Sequence, residues 1–264
     1  MKNSQTITGW VEALQASGRY VFTREEAEAG LKASRMAVRA ALRRFKQKGK
    51  IASPHRGFYV VVPPEYRATG CPPASWFIDD LMKYLGLYYY VSILSAAALH
   101  GAGHQQPMMF QVITDKAIRP MQAGKVHIEA HTSRTVAKMP VMNIETETGT
   151  MAVATPETTA YDVVRFYSAA GNWSNIATVL LELSEKLEAD LLVDIASLVR
   201  LPDVQRLGYL LDFLGEAKLV EPLADWLAER RTTVVCLRTD LPKGATKIDS
   251  RWRLYPNEQL DIDL

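Results

Sequence analysis

The sequence predicts a multidomain α+β protein, and three observations lead to this class. At 264 residues the chain is long enough for two or three lobes, each burying its own core. Hydrophobic residues make up 48% of the chain and charged residues 23%, which is typical of globular proteins and argues against a disordered or fibrous chain. Helical periodicity dominates both ends and strand-like patterns dominate the middle. We therefore expect a helical N-terminal unit (residues 1–62), a mixed α/β lobe (63–154) and a mainly helical C-terminal lobe (155–264).

Charge is distributed unevenly between these parts. Residues 1–62, which we call the head, contain 12 Lys or Arg and 4 Asp or Glu, a net charge of +8. Residues 63–264, which we call the body, contain 19 and 25, a net charge of −6. Such a division indicates a polyanion-binding head joined to a body with a different role.

The head is predicted to begin with three helices. A first helix over residues 7–18 presents apolar residues at helical spacing. Thr23 and Glu26 form an S/T-x-x-E pattern, which caps a second helix expected over residues 24–30. Ser34 is placed to cap a third helix that extends to residue 48. Two helices joined by a short turn form a helix-turn-helix.

The third helix carries an apolar stripe and a basic stripe. The apolar stripe consists of Val38, Ala41, Leu42 and Phe45. The basic stripe consists of Arg35, Arg39, Arg43 and Lys46. At about 100° per residue the two stripes are centred roughly 110° apart, so the basic face can point outward while the helix stays packed. Arg44 lies away from both stripes and is not predicted to contact bases.

A hairpin is predicted after the third helix. Residues 50–52 and 58–62 have strand patterns, and the turn residues at 53–57 connect them. A hairpin in this position is the wing of a winged helix-turn-helix. His55 and Arg56 at its tip can reach the DNA backbone or the minor groove.

These features predict that the head binds duplex DNA. A helix fits the major groove, where guanidinium groups donate paired hydrogen bonds to guanine, and other cations neutralise phosphates. The predicted contacts are Ser34, Arg35, Met36, Arg39, Arg43, Lys46, Lys50, His55 and Arg56. The alternatives are a merely solvated helix face and a winged helix that binds protein.

In the body, two helices are expected first, then a group of strands, and then further helices. Pro and Gly residues at 63–73 are typical of a hinge or domain boundary. Helices are expected over residues 76–87 and 91–100 and strands over 110–114, 125–130, 141–145 and 151–154. After a helix cap at Thr155, further helices are expected over residues 158–169, 175–187, 191–201, 204–214 and 222–231. A further strand is expected over residues 234–237, whereas residues 254–264 contain little that requires order.

The body lacks recognisable catalytic patterns. The sequence contains neither a G-x-x-x-x-G-K-[ST] phosphate loop nor a G-x-S-x-G nucleophile turn. His100 and His104 have a zinc-ligand spacing but no evident third ligand. Asp79 and Asp80 diverge by roughly 100° on a helix, and the tyrosines at 88–90 are expected in the core or a lobe interface. We therefore predict no enzymatic activity, no cofactor and no metal site.

The sequence also predicts a cytoplasmic protein. No apolar run reaches the roughly 18 residues of a membrane span, and the polar N-terminus lacks the features of a secretory signal. Cys71 and Cys236 are too few for a disulfide framework and are expected to be buried or half-buried thiols.

Three segments resemble the AbiEi family of type IV antitoxins: GFYVVVPPEY (57–66), SILSAAALHG (92–101) and QQP (105–107). The resemblance covers the head and the body. It implies that a winged-helix domain represses its own operon by binding promoter inverted repeats and that the C-terminal domain counteracts a toxin. The implied toxin is a nucleotidyltransferase-like protein encoded beside the antitoxin, and the pair is implied to act in phage defence by abortive infection.

Composition and spacing alone do not indicate antitoxicity and leave alternatives open. The acidic body permits direct contact with a basic toxin, whereas a type IV system implies opposition without a stable complex. A ligand-responsive winged-helix regulator is one alternative function, and an enzymatic antitoxin that modifies its toxin is another. We expect two copies on an inverted repeat, because one helix reads too few base pairs to select a promoter. A monomer in free solution is compatible with the lack of a long heptad repeat.

Overall fold

A computed structural model of the chain describes residues 6–103, 107–243 and 247–262. These residues form a mixed α+β fold, as the sequence predicted. The described part of the head contains α1 (Ile7–Ala16), β1 (Val21–Thr23), α2 (Arg24–Leu31), α3 (Arg35–Gln47), β2 (Ile51–His55) and β3 (Phe58–Val61).

The head helices begin at the caps expected from the sequence. The Thr23 side chain accepts a hydrogen bond from the Glu26 backbone N–H at 3.1 Å, and the Glu26 carboxylate accepts one from the Thr23 N–H at 2.7 Å. Ser34 Oγ accepts a hydrogen bond from the Ala37 N–H at the start of α3. These bonds satisfy backbone donors that have no partner within a helix. Lys32, in a left-handed conformation, ends α2 and makes the turn to α3.

The hairpin of β2 and β3 is extended by β1 into a three-stranded antiparallel sheet with the order β1-β3-β2. The sequence analysis did not identify β1 as a strand. Its residue Phe22 is buried with Val11 from α1 and with Val38 and Leu42 from α3. The apolar stripe of α3 is therefore held inward, and this orientation leaves the basic stripe outside.

The body is built on a six-stranded mixed sheet with the order β6-β7-β5-β4-β9-β8. Its strands are β4 (Tyr89–Val91), β5 (Phe110–Thr114), β6 (Met121–Ala123), β7 (Val126–Thr132), β8 (Val141–Thr146) and β9 (Gly149–Ala154). The helices of the body are α4 (Ile78–Leu85), α5 (Ile93–Leu99), α6 (Pro156–Arg165), α7 (Trp173–Ser184), α8 (Ala189–Ala196), α9 (Leu201–Phe213) and α10 (Ala217–Ala228). A parallel pair, β10 (Val235–Cys236) and β11 (Leu254–Tyr255), follows the helices.

Two expectations for the body are corrected by the structure. Residues 89–91 form β4 in the middle of the sheet, whereas a helix was expected from residue 91; Tyr90 is fully buried, in line with the expected core position, but Tyr88 is largely exposed. Residues 254–255 form β11, although residues 254–264 were expected to contain little order. This part is ordered because Trp252 and Leu254, both fully buried, join the core of the body.

The core of the body extends onto one face of the head's three-stranded sheet, while the helices of the head pack in a separate core. Phe58, Val60 and Val62 from the head are buried in the same cluster as Trp76 and Leu81 from the body. The segment after the wing is packed as well, since Cys71 and Pro72 are buried. Burial raises the pKa of the Cys71 thiol to about 12, so this cysteine stays protonated and unreactive. No described helix is both long enough and apolar enough to cross a membrane.

Candidate nucleic-acid interface

A cationic cleft opens between α3 and the wing. Its volume is about 390 Å³. Its lining consists of Arg24, Arg39, Leu42, Arg43, Lys46, Ser53, Arg56, Gly57 and Tyr59. Five of these residues are cations, and none carries a carboxylate. We call this surface the head cleft. Concave surfaces with one sign of charge concentrate the electric field, so this cleft is suited to a polyanion.

The α3 residues of the head cleft face outward because the opposite stripe of the helix is buried. Arg39, Arg43 and Lys46 are exposed, whereas Val38 and Leu42 lie in the core. Within the described part of the chain, none of the three cations makes an ion pair or a hydrogen bond. Their charges are therefore free to engage phosphates or base edges without first breaking a protein contact.

The remaining α3 residues predicted to contact DNA lie in its first turn. The Ser34 side chain caps the helix, and Met36 is 81% exposed. An exposed apolar side chain at this position is suited to contact a thymine methyl group. Arg35 is exposed but forms a long ion pair, at 3.5 Å, with Glu28 of α2. An exposed pair of this kind contributes about 1 kcal/mol or less, so it leaves Arg35 available to a ligand.

The structure places Lys50 and His55 away from the head cleft. The Lys50 ammonium lies 5.4 Å from the centroid of the Phe45 ring and lines a separate cavity with Thr8. The His55 ring faces Tyr84 of the body, with 6.1 Å between ring centroids. Both side chains are half-buried.

The tip of the wing is held by the body. Tyr84 of α4 donates a hydrogen bond to the Arg56 carbonyl oxygen at 3.2 Å, and its ring lies 5.4 Å from that of Phe58. The turn itself requires a positive φ of 88° at Gly57, which a side chain would strain. A Cβ atom at Gly57 would also lie 2.5 Å from the Tyr84 hydroxyl oxygen. Arg56 is thereby fixed through its backbone while its side chain remains exposed at the cleft.

Arg24 is a cleft residue that the sequence analysis missed. It is the first residue of α2, and its backbone N–H donates to the Gly57 carbonyl oxygen at 2.8 Å. This contact exists because Thr23 pairs with Phe58 across β1 and β3. The sequence feature that could have identified Arg24 is the apolar run before Thr23. If this run had been assigned to a third strand paired with the wing, Arg24 would have been expected beside the wing turn.

Polar residues of the body that the sequence singled out have structural partners. The His100 Nε2 atom lies 2.8 Å from the Ala154 carbonyl oxygen, and His104 lies outside the described residues, as do the first two residues of the QQP segment. Asp79 pairs with Lys83 at 2.5 Å and accepts a hydrogen bond from the Tyr89 hydroxyl. Among the described residues, no group of three or more His, Cys, Asp or Glu is arranged to hold a metal ion.

Comparisons with known proteins agree with this arrangement. Residues 11–62 match the family model described as "Transcriptional regulator, AbiEi antitoxin", and residues 90–213 match "AbiEi antitoxin C-terminal domain". The crystal structure of RV2827C protein from Mycobacterium tuberculosis has a similar fold, with a TM-score of 0.67 and 20% identity over 93% of this chain and 89% of that chain. No curated protein sequence matches the chain. Because the two family models cover the head and the larger part of the body, the chain belongs to the AbiEi antitoxin family, whose members are antitoxins with a regulatory role.

Proposed function

We propose that this protein is the antitoxin of a type IV toxin-antitoxin system and also represses its own operon. In this proposal the head, residues 1–62, is a winged helix-turn-helix domain that binds inverted repeats in the promoter. The body, residues 63–264, is the antitoxin domain, with a mixed α/β lobe and a helical lobe. The observation that carries the proposal is the cationic head cleft, whose three α3 cations have no partner among the described residues, in a chain whose head matches a regulator model of this family.

The head cleft supports a specific way of binding. With α3 in the major groove, Arg39 and Arg43 would reach base edges, where a bidentate contact to guanine contributes about 1–3 kcal/mol of discrimination. Lys46 would neutralise a phosphate on one side of the groove. Arg24 and Arg56, both beside the turn at the tip of the wing, would hold the phosphates of the adjacent backbone.

The antitoxin role is ascribed to the body because of the family match over residues 90–213. We propose that the opposed toxin is a nucleotidyltransferase-like protein encoded beside this chain, and that the pair acts in the cytoplasm in phage defence by abortive infection. The body is proposed to act without enzymatic chemistry and without a cofactor.

Separate mutation of the head tests this proposal. We expect the double substitution Arg39→Ala and Arg43→Ala to abolish repression of a reporter driven by the protein's own promoter, because two base contacts are lost. The same variant should still rescue growth when it is co-expressed with the toxin from an unrelated promoter. Arg44→Ala, which removes an exposed arginine of α3 outside the cleft, should leave both functions intact.

Two outcomes would contradict the proposal. One is that the folded double variant represses as well as the wild type. The other is that it remains folded but no longer rescues growth, because the two functions would then not reside in separate parts of the chain. Circular dichroism and thermal unfolding of each variant establish that it is folded.

A further inference from the structure

A second cationic cleft, of about 320 Å³, lies on the body. It is formed where three parts of the chain meet: the end of β7 with the loop that follows it, the last residue of α6, and the segment before α9. These parts contribute Arg134, Arg165 and Arg200, respectively. We call it the body cleft. A cationic cleft is not expected from the composition of the body, because the body carries a net charge of −6.

Two of the three arginines are held in place by the fold. The Arg165 guanidinium donates to Ser133 Oγ at 2.9 Å and lies 5.1 Å from the centroid of the Phe166 ring. Arg200 makes two parallel hydrogen bonds to the Asp203 carboxylate, at 2.9 and 3.0 Å. A guanidinium carries five N–H donors, so each of these arginines retains donors for a ligand.

The third arginine has no partner of its own. Arg134 is exposed and makes no ion pair or hydrogen bond within the described part of the chain. No carboxylate lines the cleft; Asp203 lies behind Arg200 and is shared with Arg206 at 3.6 Å. The cleft therefore presents an excess of positive charge, and the Arg134 side chain can bind a ligand without first breaking a described contact.

We propose that the body cleft binds the phosphate group of a small phosphate monoester, of the size of a mononucleotide. Planar guanidinium groups match the oxygens of a phosphate and form short charge-assisted bonds with them. The hydroxyl of Thr132 adds a donor at the rim, and Leu198 and Val199 provide an apolar wall for the rest of the molecule. The volume lies at the lower end of the roughly 300–1,000 Å³ typical of ligand pockets, which fits a small ligand better than a polymer.

Calorimetric titration of the full chain tests this assignment. The probes are inorganic phosphate, the four ribonucleoside 5′-monophosphates and the corresponding nucleosides, all at constant ionic strength in chloride. We expect saturable binding of at least one monophosphate and none of its nucleoside. Arg134→Ala should weaken this binding at least tenfold without changing thermal stability in the absence of ligand, because Arg134 supports no described contact. The matched control Arg119→Ala, which removes another exposed arginine of the body, should bind as the wild type does.

Three results would overturn the inference. The first is the absence of saturable binding by any monophosphate. The second is equal weakening by Arg134→Ala and Arg119→Ala, which would indicate diffuse electrostatic attraction. The third is that Arg134→Ala weakens binding only of a duplex DNA, measured in parallel, because the cleft would then contact the DNA backbone. None of these measurements uses the toxin or the promoter, so their failure is distinguishable from failure of the proposed function.

Discussion

The buried carboxyl group of Asp162 is expected to make the stability of the body depend on pH. Asp162 of α6 is fully buried, and its carboxyl accepts a hydrogen bond from the Ser92 hydroxyl at 2.8 Å. Burial raises the pKa of this carboxyl to about 6 from an ordinary value of 3.8, and the hydrogen bond from Ser92 offsets only part of this rise. The native state thus binds the proton more tightly than the unfolded chain does.

The sign of the pH effect follows from this difference. Above pH 6 the ionised carboxylate lowers the free energy of unfolding by its full penalty. This penalty shrinks as the pH falls towards 4. Removing the charge by Asp162→Asn should therefore raise the free energy of unfolding by about 3 kcal/mol at pH 7.5 and by about half of that at pH 5. Urea unfolding at the two pH values measures this, with the exposed Asp225→Asn as a control. A gain that is equal at both pH values would refute the assignment.

The cleft cations on α3 could be predicted from the sequence because helical periodicity alone decides which face of a helix is buried. Arg39, Arg43 and Lys46 follow from the apolar stripe on the same thirteen residues. The positions of Lys50 and His55 could not be predicted this way. They depend on contacts with Phe45 and with Tyr84 of the body, and no local pattern encodes the second of these contacts.

At the scale of elements, the packing of Trp252 against α9 explains why the C-terminal strand is ordered. A Cβ atom at Gly208 of α9 would lie 2.0 Å from the Trp252 ring, so the helix has glycine where the ring crosses it. The ring cannot retreat, because it is fully buried and its N–H donates to Asp212 at 2.9 Å. The close approach of helix and ring is therefore what fixes β11 on the body.

A pair of glycine substitutions tests this packing. Alanine favours helices over glycine by about 1 kcal/mol, but overpacking a core costs about 1–3 kcal/mol, so Gly208→Ala should destabilise the protein. At Gly9 of α1 the nearest atom to a new Cβ is Thr6 Oγ1, at an unstrained 3.6 Å. Gly9→Ala should thus be neutral or stabilising by up to about 1 kcal/mol. Unfolding midpoints that shift in the same direction for both variants would contradict this explanation.

Most long elements were predicted well, whereas most short strands, apart from β10, were not. β4 has three residues and β11 has two, which is too short for a strand period to be detected, and both depend on partners distant in sequence. Pro222 was expected near the start of its helix but lies inside α10. A proline there costs about 3 kcal/mol. The buried stripe of the helix, which includes Leu219, Val220 and Leu223, offsets this cost, because each such side chain contributes about 1.5–3 kcal/mol.

For the whole molecule, the shared core of head and body limits how two copies can bind one promoter. We expect binding to inverted repeats whose centres lie about 10 base pairs apart or a multiple of this, so that both α3 helices face one side of the DNA. The wing packs on the body through Tyr84 and the shared core, so we expect head and body of each copy to bind as one unit and the two copies to cooperate only when both lie on one side of the DNA. Inserting about half a helical turn between the repeats should therefore impair occupancy, as measured by footprinting. Unchanged affinity after this insertion, with full protection of an isolated half-site, would exclude paired binding.

The head cleft is proposed to bind duplex DNA, and a salt titration of binding to the protein's own promoter tests this claim. If Lys46, Arg24 and Arg56 each neutralise one phosphate, log K should fall linearly with log salt concentration with a slope of about −3 per bound copy. Arg24→Ala should reduce the magnitude of this slope by about 1, whereas Arg44→Ala, outside the cleft, should change the affinity much less. An affinity that is independent of salt, or one that Arg24→Ala and Arg44→Ala reduce equally, would contradict the claim.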